Sequence, residues 1–270
     1  MSLTAEAIDR IGSLALAADN PLASAIGEQA VALPESMRIQ DLEKFMPVRR
    51  RFRGSMETEQ IGAFCEYTEA QGEAEVFIDT DGMCAIAYFD MGTRDEPGHC
   101  EHRAAVSLKQ TAAYCAMKKI NGQVLNQREL ADWLEDWGRH VQCFDSEGED
   151  MHIVKALASV RKMTIETARK LESEEKNMGR QLSAMERIEV SSEGKTLGGF
   201  YFTCTPHNGF QERTFRLPLS ALTGGDNIRL KLRVQELEAI QEEIAEEFRI
   251  KVEGHLTGEG FNVWMGAFKA

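Results

Sequence analysis

The chain lacks any apolar run approaching the roughly 18 residues that a membrane-spanning helix requires. Its first twenty residues have no basic start leading into an apolar stretch, and they carry Glu6 and Asp9 early. Both absences predict a soluble protein outside the secretory route, placed in the cytoplasm. Cys65, Cys84, Cys100, Cys115, Cys143 and Cys204 include no CxxC pair. This spacing argues against the common zinc and dithiol frameworks and predicts free, mostly buried thiols in a reducing compartment. GxSxG, GxGxxG, HExxH and GxxxxGK followed by Ser or Thr are also missing. The usual signatures of hydrolases, dinucleotide binders, zinc proteases and nucleoside triphosphatases are therefore absent. The expectation is a protein with neither catalytic activity nor a cofactor. No internal repeat, low-complexity segment or obvious linker breaks the chain.

What is present is an acidic chain of 270 residues, 43% hydrophobic and 28% charged, with a formal net charge of −13. That composition suits an ordinary globular fold with a substantial core. Its charge repels nucleic acid and anionic membranes at long range, while leaving room for a local basic patch.

The pattern of apolar residues predicts the elements. Leu3 to Ala18 has helical spacing and stops at Asn20-Pro21; a second short helix is expected near Arg38 to Phe45. Two β-rich runs, Val76-Phe77-Ile78 and Met83 to Phe89, flank Asp81-Gly82 and predict a hairpin. Arg103 to Leu108 reads as a third strand, followed by a helix over Thr111 to Lys119. Asn126 stands three residues before Glu129, a capping box opening a helix over Gln127 to Trp137 that Gly138 ends. Asp150 to about Glu189 reads as one long, charged helix. Strands are expected at Leu197 to Cys204, Thr214 to Leu219, Asn227 to Val234 and Phe261 to Phe268, with an acidic helix at Glu236 to Glu253. Together these predict an α+β fold: an antiparallel β-sheet with helices packed on one side and a long charged helix. Residues 1–45 are expected to form a helical segment, and 46–270 one α+β domain with a helical insertion near 150–190.

His99-Cys100-Glu101-His102 is the tetrapeptide richest in chemistry. His and Cys ligate zinc, but a site needs three or four ligands and no matching second cluster exists, so a loop running into a strand is the default. Cys100 with His102 and Cys204 with His207 pair a thiol with a base, without a flanking signature of a nucleophile. Asp79, Asp81 and Asp90 could hold a divalent cation if they converged, although a hairpin tip already explains Asp81. Arg49, Arg50, Arg51 and Arg53 are the candidate binding tract, because guanidinium groups grip phosphate or carboxylate in paired hydrogen bonds. The alternative is that they pair with the chain's surplus acids. Trp133 and Trp137 are expected in the core, although they could form a stacking surface. Glu242, Glu243, Glu246 and Glu247 are expected to form a solvated face, with nucleic-acid mimicry as the alternative.

Several segments, read in order, resemble the YfdQ-like family of bacteriophage and prophage proteins, whose function is unknown. They are the hairpin Val76-Phe77-Ile78-Asp79 to Ala85-Ile86-Ala87-Tyr88-Phe89-Asp90, then Pro97-Gly98-His99 and His102-Arg103-Ala104. The helix Leu125 to Asp136, Phe215-Leu217-Pro218, Thr257-Gly258 and Gly266 extend the likeness over most of 45–270. The first 40 residues and 165–190 lie outside it. The resemblance implies an accessory product of a temperate phage in the host cytoplasm, and it carries no functional residue across. The leading expectation is a non-enzymatic homo-oligomer, whose basic tract and acidic helices permit head-to-tail association. Its partner would be itself, with a phage or host protein next, and no membrane. The alternatives are a nucleic-acid-binding accessory protein of phage recombination or replication, and an anti-defence factor that sequesters or inhibits a host component.

Overall fold

The computed structural model describes residues 4–19, 43–163, 196–224 and 227–269. The chain divides into two units, residues 1–52 and 53–270. The first unit holds helix α1 (Ala5–Asp19) and a 3-10 turn at Glu43–Phe45. Glu6 in the first turn complements the helix dipole. Residues 38–42 of the expected second helix lie outside the described residues.

The second unit runs β1 (Gly54–Thr58), α2 (Ile61–Gln71), β2 (Ala74–Asp79), β3 (Cys84–Tyr88), β4 (His102–Ser107), α3 (Ala112–Ile120), β5 (Val124–Leu125) and α4 (Gln127–Asp136). It continues through β6 (Val141–Asp145), β7 (Asp150–Met151), α5 (Ile153–Arg161), β8 (Leu197–Cys204), β9 (Arg213–Gly224), β10 (Asn227–Leu232), α6 (Leu237–His255) and β11 (Phe261–Met265). The α+β class holds, with the strands divided between two sheets. Among the described residues no helix is long and apolar enough to cross a membrane.

The first sheet has the order β1-β4-β3-β2-β11. Its centre is antiparallel, whereas β1 runs parallel to β4 and β11 parallel to β2. Period-two alternation buries Ala74, Val76 and Ile78, and the register sets Val76 beside Ala87 and Ala87 beside Ala104. Small alanines on this face let α2 approach; it packs on β1, β4 and α6 and buries Phe64 completely. On the opposite face Phe268 stacks on Phe77 with ring centroids 4.7 Å apart. There the Trp264 indole and the Asn262 amide both donate to the Glu75 carboxylate, each at 2.6 Å. The hairpin turn takes four residues, and Met83, not Gly82, adopts the left-handed conformation (φ 49°).

The second sheet, β5-β10-β9-β8-β6-β7, is antiparallel throughout. Phe200, Phe202, Phe215, Leu217, Leu230 and Leu232 are fully buried in its core. The capping box forms as expected: Asn126 Oδ1 accepts the Glu129 N–H and Glu129 Oε2 accepts the Asn126 N–H, both at 2.9 Å. Trp133 lies 5.5 Å from the Phe202 ring, so the tryptophans pack against the core.

The expected helix from Asp150 is corrected at its start. The buried Asp145 carboxylate accepts the Glu147 and Glu149 N–H groups, closing a tight turn that pairs Asp150–Met151 with β6. Helix α5 then ends at Arg161, where the Gln127 amide donates to the Val160 and Met163 carbonyls (2.8 and 2.9 Å). The rest of that expected helix, 164–189, lies outside the described residues.

Candidate functional site

The arginine tract divides between the two units. Arg49 and Arg50 are exposed in the first. In the second, Arg53 forms an ion pair with Glu101 at 3.6 Å, so one of these guanidinium groups is matched by the chain's own acids. Arg51, in the first unit, is half-buried.

The His99–His102 tetrapeptide belongs to the joint between β3 and β4. Asp90 Oδ2 accepts the Glu101 N–H (3.1 Å) and Oδ1 accepts the His102 N–H (2.9 Å), fixing the start of β4. Any Cβ on Gly98 would collide with the Asp90 carbonyl, which explains a glycine there. Cys100 takes a left-handed conformation (φ 52°), so strict strand alternation begins only at His102. His102 turns inward: its ring packs on Phe89 (4.6 Å), and the Tyr67 hydroxyl lies 3.4 Å from Nε2. The metal-like run is thus split between an exposed loop residue, His99, and a buried strand residue, His102. Among the described residues no group of three or more His, Cys, Asp and Glu side chains is arranged to hold a metal ion.

Burial pushes the thiols of Cys65 and Cys204 up to about 12 and that of Cys143 up to about 11. Thiols this high are protonated at neutral pH and are poor nucleophiles. Burial thus disfavours the thiolate of Cys204, the nucleophile of the Cys204 and His207 pairing.

A cavity of about 430 Å³ opens where the β2–β3 turn, α3, the β8–β9 loop and α6 converge. Helical spacing supplies much of its lining. Tyr114 and Lys118 stand four apart on α3, and the Lys118 ammonium lies 5.5 Å from the Tyr114 ring centre. On α6, Glu238, Gln241, Glu242 and Ala245 fall on one stripe, and Gln241 hydrogen-bonds the Tyr114 hydroxyl. Thr111, the N-cap of α3, stitches the β8–β9 loop in place: its hydroxyl donates to the Thr205 carbonyl (2.6 Å), and its N–H donates to the Pro206 carbonyl (2.9 Å).

That loop presents His207, only 2% exposed. Its Nδ1 lies 3.1 Å from the Lys109 carbonyl. A carbonyl can only accept, so Nδ1 carries the proton and the neutral ring keeps a lone pair on Nε2. Burial, with the Lys118 charge adding to it, holds His207 below its ordinary pKa, although the Lys109 hydrogen bond pulls the other way.

The acids of α6 divide sharply. Glu243 and Glu247 bind Arg213, while Glu246 and Glu253 bind Arg249. The expected solvated face holds for Glu242, Glu243 and Glu246, which are exposed, while Glu247 is largely covered where it meets Arg213. Glu238 and Glu242, together with Asp81 at the hairpin tip, line the cavity without an ion pair among the described residues. None of Tyr114, Lys118 or Gln241 stands out in the sequence, and Glu242 does so only as part of an acidic helix face. The only available signal was four-residue spacing, which any helix face shows.

The chain belongs to the family described as "Uncharacterized conserved protein (DUF2303)", whose profile matches residues 4–268. The match takes in residues 4–40 and the 165–190 stretch, which the motif resemblance leaves out. No curated protein and no solved structure matches the chain.

Proposed function

We propose that this DUF2303 protein is a phage- or prophage-encoded accessory protein that works without catalysis, as a self-assembling homo-oligomer in the host cytoplasm. The observation that supports assembly is the distribution of exposed apolar side chains. Half of the large hydrophobics exposed among the described residues fall in the first unit: Ile8, Ile11, Phe45, Met46, Val48 and Phe52. Exposed apolar surface costs about 25 cal/mol per Å² relative to burial, and concentrations of it mark interaction sites. A second copy of the chain relieves that cost. The internal pairing of the α6 acids shifts the driving force from opposite charges toward apolar burial.

Light scattering of the full chain tests this directly. The expected mass is a defined multiple of 30.2 kDa that persists in high salt. Replacing Ile8 and Ile11 together with Asp should return it to 30.2 kDa. A monomer at every concentration and salt overturns the reading.

Exposure of Arg49 and Arg50 favours a second reading, a nucleic-acid accessory role. It predicts binding to a single-stranded oligonucleotide that weakens steeply with salt and is lost on replacing both arginines with Ala. Binding that ignores salt or survives the substitutions rules it out.

A further inference from the structure

The outer face of the second sheet carries charge of one sign. Leu217, Leu219 and Ala221 on β9 and Leu230 and Leu232 on β10 point into the core and are buried. Their neighbours in sequence therefore point the other way, among them Arg216, Arg229 and Lys231. The same alternation runs past the end of β10, where Arg233 is exposed between buried Leu232 and Val234. Strands β5, β8, β9 and β10 contain no Asp or Glu, in a chain with 44 acids against 31 bases. Asp150, opposite Phe144 on β7, brings a carboxylate only at the far margin. The contrast with Arg213 is direct: it reaches Glu243 and Glu247 on α6, whereas Arg229, Lys231 and Arg233 make no ion pair with the described residues. Arg216 bonds the neutral Gln235 amide at 3.3 Å.

The second observation is aromatic. Tyr201 on β8 stands opposite Arg216 in the strand register, so the two share this face. The Tyr201 ring is partly exposed and lies 4.8 Å from that of Phe144, over which the Arg216 guanidinium sits at 5.2 Å. Leu222, opposite Arg229, and Val124, opposite Lys231, add exposed apolar side chains. Cations two residues apart on a strand lie about 7 Å from one another, a spacing that successive phosphates of an extended polynucleotide match. An open face with cations beside an aromatic ring complements a polyanion whose bases are free to stack.

We propose that this face binds single-stranded nucleic acid. Phosphates lie along Arg229, Lys231 and Arg233 and on Arg216, while a base stacks on Tyr201. A duplex keeps its bases inside and gains only the phosphate contacts. The surface lies within residues 53–270, apart from Arg49 and Arg50, and it stands whether or not the chain oligomerises.

The test is fluorescence anisotropy of a labelled oligothymidylate of about 16 nucleotides, titrated with the full-length protein. Saturable binding in low salt is expected, and log K should fall against log salt with a slope of about −3, since each phosphate contact to a single strand contributes about −0.7. Replacing Arg229, Lys231 and Arg233 together with Ala should weaken binding by about tenfold or more and bring the slope to about −0.7. These side chains belong to the outer face, so the triple variant should keep the wild-type far-ultraviolet dichroism. Tyr201→Leu should weaken binding by about fivefold or more with the slope unchanged. Replacing Arg49 and Arg50 with Ala should leave the binding in place, which separates this surface from the arginine tract. The inference is overturned if the oligonucleotide does not saturate, if the triple variant binds like wild type, or if binding is lost with Arg49 and Arg50 instead. It is also overturned if a duplex of the same length binds as tightly, or if polyglutamate competes as strongly as unlabelled oligothymidylate, which would make the occupant an acidic protein surface.

Discussion

The two sheets finish their margins in opposite ways. The second is bounded by β5 and β7, strands of only two residues, which leave almost no free edge for another chain to pair with. The first ends on β11, a five-residue strand whose Trp264 and Met265 are more than half exposed. Its other margin, β1, is polar, with Ser55, Glu57 and Thr58. The second sheet also joins neighbours in sequence, β8 to β9 to β10, whereas the first joins β2 to a strand from the far end of the chain. Each sheet is built locally at its centre, β2-β3-β4 and β8-β9-β10, and distant segments finish its margins; the first keeps an open apolar border.

The largest expected effect breaks the second sheet. Phe202 is fully buried between Trp133 and His140, and Phe202→Ala should cost about 3–5 kcal/mol in a denaturant titration. If β11 is lost at lower denaturant than the second sheet in wild type, by hydrogen exchange, the two sheets are separate cooperative units and the contrast sharpens.

A smaller effect lies at the cavity, where turns from both sheets meet. The folded state favours neutral His207, so its contribution is complete above the ordinary value of 6.5 and is lost as pH falls toward the lowered folded value. The urea midpoint should therefore drop between pH 7.5 and 5.5, and His207→Gln should remove part of that drop. An unchanged pH dependence in the variant would show that the buried ring is not its source.

The smallest effect on stability is at the open border. Met265→Lys should change unfolding free energy by no more than about 0.5 kcal/mol, since the side chain is already wet, while discouraging any strand pairing along β11. A larger loss of stability would mean that β11 is not an open edge.

What could be read from the sequence follows the same division. The β2–β3 hairpin, the Asn126 capping box and the alternation of β10 were legible because each rests on residues within a few positions of one another. Strand β1 was not legible: Gly54-Ser55-Met56-Glu57-Thr58 has little β character and is held by parallel pairing to β4. Strands β5 and β7 are too short to show a period. The helix expected to begin at Asp150 misjudged the Asp145 turn, a side-chain-to-backbone contact that periodicity does not register. At the cavity, Asp81 was noticed as a turn residue and His207 as a neighbour of Cys204. Their convergence with α6 depends on tertiary packing that no local spacing encodes.

The parallel pairing of β11 with β2 also sets a schedule. Asn262 reaches its partner Glu75 across 187 residues of chain. At about 5–20 residues per second, a ribosome leaves roughly 10–40 s between making the two strands. Throughout that interval the outer edge of β2, with Val76 and Ile78 on one side and Phe77 on the other, has no permanent neighbour. The newborn protein passes through an age at which this strand edge is bare, and arrival of the Phe261–Met265 segment closes that window.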